Sequence, residues 1–213
     1  MINIILGLPG AGKTYVLTRK ACEFLKKGYP VYSNFPLNLE HPLIAPYKER
    51  VFYWKEADEL VKIESGIILM DEAQVYFNSR KWSELDPRMQ YKLQQHRKDG
   101  LDIWGTCQNE ARIDTVMREL VTHYYLCNKF FGSREGAKRV WGLIRCAIFY
   151  PEEIKKTQRR HIVSEWYTIR KKFCEVYDTN AKISYDQEEV YPWKHKKYFC
   201  SVCKKEEVVH LRN

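Results

Sequence analysis

Apolar positions along the chain form short continuous runs separated by stretches of helical period, the alternation that builds a mostly parallel sheet with helices on both faces. Ile2 to Leu6 is the first run and predicts a buried strand. Leu17, Ala21, Phe24 and Leu25 then recur at helical spacing with Arg19, Lys20, Lys26 and Lys27 opposite, and Gly28 stops the helix. Pro30 to Asn34 and Val51 to Trp54 predict two short strands, joined by an irregular crossing over residues 35–50 that carries Pro36, Pro42 and Pro46. Lys55 to Ile63 reads as a short helix and Ile67 to Met70 as a strand buried on both faces. Helical spacing returns from Asp86-Pro87 to Asp99 through Met89, Leu93 and His96, with Gly100 as its stop. Leu101 to Cys107 is the next strand, Asp114 caps a short helix ending at Glu119, and Leu120 to Leu126 is another strand. Gly132 to Lys138 is a polar turn. Arg139 to Tyr150 and Ile162 to Tyr177 read as paired strands added to one side of the sheet. The expected fold is a doubly wound α/β phosphate-loop domain over residues 1–180, followed by a basic C-terminal tail, 181–213.

The junction of the first strand and helix carries candidate chemistry. Gly7-Leu8-Pro9-Gly10-Ala11-Gly12-Lys13-Thr14 is G-x-x-x-x-G-K-T between a strand and a helix, the setting in which successive backbone N–H groups curl around a polyphosphate. Lys13 is expected to reach the β- and γ-phosphates and Thr14 to place its hydroxyl on Mg²⁺, while the helix offers the positive end of its dipole. Hydrolysis further needs carboxylates on the same sheet edge. Asp71 and Glu72 directly follow the apolar strand ending at Met70, which suits Asp71 to the metal and Glu72 to the attacking water. Gln108, just past the strand ending at Cys107, is a candidate sensor of the γ-phosphate. An arginine against the developing charge would complete the site, and Arg80, Arg97 and Arg118 are candidates, with Arg97 favoured.

Charge and cysteine usage narrow the partners. The chain of 213 residues carries +9, of which +1 belongs to residues 1–110 and +8 to the remainder. Basic clusters in the second half are interleaved with Trp166, Tyr167, Phe173, Tyr177, Trp193, Tyr198 and Phe199, a pattern suited to a nucleic-acid backbone and stacked bases or to a solvated basic face. No run approaches the roughly 18 apolar residues of a membrane span, and seven scattered cysteines fit a reduced, cytoplasmic protein with mostly buried thiols. Cys200 and Cys203 have the spacing of half a zinc site, with His195 and His210 as further ligands and Cys174 more distant; free thiols are the expected state.

Met1 to Gly7 leading into Gly12-Lys13-Thr14, Met70-Asp71-Glu72-Ala73-Gln74, His96-Arg97-Lys98-x-Gly100-x-Asp102-Ile103, Thr106-x-Gln108 and Tyr177-Asp178-Thr179 occur in the order found in the zonular occludens toxin-like domain, which residues 1–180 resemble. The resemblance implies a P-loop ATPase of the class with an additional catalytic glutamate, related to DNA translocases and viral packaging motors. It implies ATP and Mg²⁺ as cofactors, a ring-like homo-oligomer, other virion-assembly proteins as partners, and movement of phage DNA during virion assembly. Lys13 and Thr14 would bind nucleotide and Mg²⁺, Asp71 and Glu72 would be the metal and water carboxylates, and Gln108 the sensor. Family members at the inner membrane continue into a transmembrane helix and an outer domain, which this sequence lacks, so recruitment to the membrane would fall to a partner. The rival functions are a soluble viral genome-packaging ATPase, a nucleotide-gated DNA- or partner-binding protein with slow hydrolysis, and a small-molecule kinase.

Overall fold

The computed structural model describes residues 1–78, 80, 86–132, 141–177, 197–199 and 206–208. Eight strands form one sheet in the order β3-β2-β4-β5-β1-β6-β7-β8. The central strands are β1 (Ile2–Leu6), β4 (Gly66–Met70) and β5 (Leu101–Cys107), flanked by β2 (Val31–Ser33), β3 (Val51–Tyr53) and β6 (His123–Gly132). All six run parallel. β7 (Trp141–Phe149) and β8 (Val163–Arg170) extend the sheet antiparallel beyond β6. A separate antiparallel pair joins β9 (Lys197–Phe199) to β10 (Glu206–Val208).

The continuous apolar runs are explained by burial on both faces. Ile68 and Met70 of β4 join Ile2, Ile4 and Leu6 of β1 in one core, whereas Ile67, Leu69 and Ile5 point into the other. α1 (Lys13–Lys26) covers the second face through Val16, Leu17, Ala21 and Leu25. It ends as expected at Gly28, whose positive φ of 93° lets the chain turn back with Tyr29 N–H donating to Phe24 C=O at 3.1 Å. The first face is covered by α2 (Pro87–Gln95) and α3 (Thr115–Leu120), capped by the Asp86 and Asp114 side chains. Two very short helices, α4 (Pro151–Ile154) and α5 (Lys171–Cys174), follow among the described residues.

Several boundaries differ from the sequence pattern. Lys55 to Ile63 forms a 3₁₀-helix over Ala57–Lys62, held by a reciprocal cap between Glu56 and Glu59. α2 stops at Gln95, short of Asp99; His96 after it keeps helical φ and ψ, is buried, and has its Nδ1 2.6 Å from Leu93 C=O. β6 begins later than Leu120 and runs on to Gly132, since Asn128 and Lys129 pair with β7 beyond the end of β1. Polar side chains are tolerated there because that stretch projects past the packed layers. The expected turn at 133–138 lies outside the described residues, as do Cys200, Cys203, His195 and His210.

The expectation of free thiols holds only in part. Cys127 and Cys146 are cross-strand partners on β6 and β7 with Cα atoms 4.3 Å apart, and they form a disulfide. Only the antiparallel register brings them together. Cys22, Cys107 and Cys174 are buried thiols, and burial pushes Cys22 up to about 12. Among the described residues no group of three or more His, Cys, Asp and Glu side chains could hold a metal, and no helix is long and apolar enough to cross a membrane.

Ile68 is 1 % exposed at the centre of the sheet. Ile68→Ala should therefore lower the unfolding free energy by about 2–5 kcal/mol, read from the shift of the urea midpoint.

Candidate active site

The phosphate loop leaves the carboxyl end of β1 and enters α1 at Lys13. Two glycines are required by their surroundings. A methyl group at Gly7 would stand 2.8 Å from Cys127 C=O on β6, and one at Gly12 would collide with the Ile144 side chain on β7. Gly12 also has φ 89°, where any side chain is strained. The strands beside β1 thus form a wall against which only a bare backbone fits. Ala11 N–H donates to Leu8 C=O at 3.1 Å, tightening the loop, and Leu8 stands exposed at its tip. The buried Lys13 ammonium folds over the loop and donates to Gly7 C=O at 3.0 Å and Leu8 C=O at 3.3 Å.

Fifty-seven residues further on, β4 delivers Asp71 to the same place. Thr14 Oγ1 donates toward both oxygens of the Asp71 carboxylate, at 3.2 and 3.1 Å. Thr106 on β5, fully buried, donates to Asp71 Oδ1 at 2.5 Å and accepts from Glu72 N–H at 2.9 Å. From the end of β2, Asn34 donates to Asp71 C=O at 2.9 Å and accepts from Asp71 N–H at 2.7 Å. Burial is the largest influence on this carboxyl and raises it above the ordinary range; the Thr106 hydrogen bond pulls it down, the Glu72 charge pushes it up, and Thr14 and Lys13 lower it. A carboxylate held beside a threonine hydroxyl at a phosphate loop suits Mg²⁺, which takes one or two protein oxygens and leaves its other positions to phosphates and water.

Glu72 is the only non-glycine with positive φ among the described residues, at φ 54° and ψ 55°. Such a conformation costs on the order of 1–3 kcal/mol and persists where the surroundings impose it. Here the Thr106 bond fixes its N–H, and Gln74 Nε2 donates to Glu72 Oε2. Gln74 Oε1 is buried with no partner among the described residues, so the amide is spent on orienting the glutamate.

Gln108 follows β5, the strand between β4 and β1, and therefore lies on the loop's edge of the sheet. Its Oε1 accepts from Arg112 Nη1 at 3.0 Å. Arg97 is placed elsewhere. It precedes β5, whose seven residues span roughly 20 Å, so it sits at the opposite, amino edge. The favoured arginine therefore cannot act on the phosphate loop of its own chain; adjacency in sequence to two site strands concealed that it joins their far ends. Arg118, on α3, donates to Thr115 at 2.9 Å. Arg80, ten residues past β4, is exposed, and its backbone N–H donates to Asn78 Oδ1 at 3.1 Å.

Thr106, Asn34, Gln74 and Arg112 were not assigned roles from sequence. Each polar residue ends or follows an apolar strand, or lies within four positions of a candidate, and Gln74 and Thr106 also belong to the short motifs of the resemblance.

Thr106→Val keeps the side-chain shape but removes the 2.5 Å bond to Asp71 Oδ1 and the acceptor of the Glu72 N–H. It should lower the unfolding free energy by about 1–3 kcal/mol in urea titration, whereas Thr106→Ser should retain most of it.

Residues 1–182 match the family model described as Zonular occludens toxin (Zot). The Gene 1 proteins of Enterobacteria phage I2-2 and Salmonella phage IKe are each 30 % identical over 147 residues, 60 % of this chain and 40 % of theirs, so the chain spans less than half the length of these relatives. The N-terminal domain of zonular occludens toxin from Neisseria meningitidis superposes with a TM-score of 0.52 at 20 % identity, covering 83 % of this chain and 98 % of that one. With the phosphate loop on the carboxyl edge of a mostly parallel sheet and a family match over most of its length, the chain belongs to the Zonular occludens toxin family.

Proposed function

We propose that this protein hydrolyses ATP with Mg²⁺ and uses the energy to move viral DNA during virion assembly, acting as a homo-oligomer. The observation that carries the reading is the meeting of Thr14 and Asp71 at 3.1–3.2 Å beside the phosphate loop, with Glu72 next to them. A nucleotide kinase has less use for a glutamate held in a strained backbone conformation at that point.

In this reading the loop N–H groups and Lys13 bind the β- and γ-phosphates, and the α1 dipole favours their charge. Thr14 and Asp71 would hold Mg²⁺, which when bound neutralises charge on the phosphate oxygens. Glu72 accepts a proton from the attacking water, with Gln74 and Thr106 holding it in place. Gln108 hydrogen-bonds at the γ-phosphate edge. Because Arg97 lies at the far edge of its own sheet, it could act on the leaving charge only from a neighbouring copy, whereas Arg112, bonded to Gln108, is an arginine of the same chain on the loop's edge. DNA as the object moved is supported by family membership, by phage relatives and by the excess of +8 in the second half of the chain.

Phosphate release from ATP, with and without single- and double-stranded DNA, tests this. Lys13→Ala should lose nucleotide binding. Glu72→Gln should retain binding while hydrolysis falls about 100- to 10,000-fold. Stimulation by DNA should vanish in both. Hydrolysis indifferent to DNA would leave a nucleotide-gated binding protein, and transfer of the γ-phosphate to a metabolite would replace the motor by a kinase. Arg97→Ala should retain nucleotide binding and lose hydrolysis, recovered in part on mixing with Lys13→Ala subunits; no recovery would remove the neighbouring-copy role.

A further inference from the structure

One face of the antiparallel extension is covered by α1, and the other is covered only at one end, where Tyr124, Ala147 and Phe149 join the first core, and is open beyond it. Tyr125, Cys127, Ile144, Cys146, Ile148, Tyr167 and Ile169 belong to the core on the α1 side. On the reverse face, register places Asn128 beside Arg145 and Arg145 beside Trp166. Phe130 and Trp166 are 51 % and 55 % exposed, with ring centroids 5.8 Å apart and planes inclined by 38°. The Arg145 guanidinium lies 5.9 Å from the Trp166 ring, donates to Ser164 Oγ at 2.9 Å, and has His161 Nε2 within 3.4 Å. Two large aromatics left in water beside an oriented guanidinium form a surface with a use, because burying them inward would have been more favourable.

Charge selects the occupant. β6 and β7 contain no acidic residue, and the one in β8, Glu165, points to the other face, where Lys20 pairs with it at 3.0 Å. On the open face these strands carry Arg145 and Arg170, paired in register with Trp166 and Trp141, while Lys129, opposite Ile144, lies on the α1 side. An anionic polymer with flat, accessible rings satisfies both halves of this surface. Duplex DNA hides its ring faces in the stack, whereas a single strand can offer them to Phe130 and Trp166 while its phosphates meet the cations.

We propose that the open face of β6–β8 around Phe130, Arg145 and Trp166 is a stacking site for single-stranded nucleic acid. Its coupling to hydrolysis rests on the ATPase reading above and has a short route. Ile144, the neighbour of Arg145 on β7, is the side chain that a methyl at Gly12 would meet at 2.3 Å, and Cys127, the neighbour of Asn128, packs against Gly7. Strand residues contacted by nucleic acid on one face thus support the phosphate loop on the other.

The test is fluorescence anisotropy of a labelled oligothymidylate with the full chain, across a salt series. Trp166→Ala and Phe130→Ala should each weaken binding about 10- to 100-fold. Arg145→Gln should weaken it and reduce the slope of log affinity against log salt by about 0.7. All three should keep the wild-type ATPase rate in the absence of DNA, which separates this proposal from the active-site reading: loss of that basal rate in the wild type would sink the latter alone. Unchanged oligothymidylate affinity in both aromatic variants would overturn the stacking site, as would absence of single-strand binding by the wild type. A change in sedimentation of the variants with unaltered DNA affinity would also overturn it and identify the face as a protein contact.

Discussion

The arrangement depends on keeping one carboxylate in a place that disfavours it. Asp71 is desolvated at the end of the central strand β4; hydrogen bonds from Thr14 after β1 and Thr106 in β5 offset part of the cost to its carboxylate, and Asn34 after β2 holds its backbone N–H and C=O. These bonds tie the sheet's carboxyl edge together. They also explain why the site is stiff where a metal and phosphates would need fixed geometry, since each partner is itself buried or held on a regular element.

Glu72 shows how that stiffness reaches the neighbouring group. Its left-handed backbone follows from the Thr106 bond to its N–H and from the immediate start of a 3₁₀ turn at Ala73, while Gln74 fixes the carboxylate. Asp71 and Glu72 are adjacent in sequence yet experience different surroundings. One is locked in the core and the other aimed by a short polar tether, which is how two carboxylates acquire different duties.

The antiparallel strands extend this logic outward. β6 and β7 provide the wall that admits only glycine at positions 7 and 12, and they are cross-linked by Cys127 and Cys146 directly behind the loop. The other face of the extension leaves Phe130 of β6 and Trp166 of β8 in solvent. The extension therefore has a supporting side and a partly open side, and the alternation of side chains along a strand makes the two sides neighbours in sequence.

The chain itself determined the strand–loop–helix at Gly7 to Thr14, the buried strands at Ile2–Leu6, Gly66–Met70 and Leu101–Cys107, and the stop at Gly28, because these follow from local periodicity and from residues whose conformational limits are local. It also marked Asp71, Glu72 and Gln108 by their positions at strand ends, and the family was legible in short motifs. The pairing of Cys127 with Cys146, the tethering of Asp71 by Asn34 and Thr106, and the displacement of Arg97 to the opposite edge were decided by strand order. Sequence separation gives no measure of which ends of two parallel strands meet. Likewise, the exposure of Phe130 and Trp166 arises because β6–β8 project beyond the helices that cover the rest of the sheet. Local pattern registers which residues prefer burial, but only the packed layers determine which of them run out of cover.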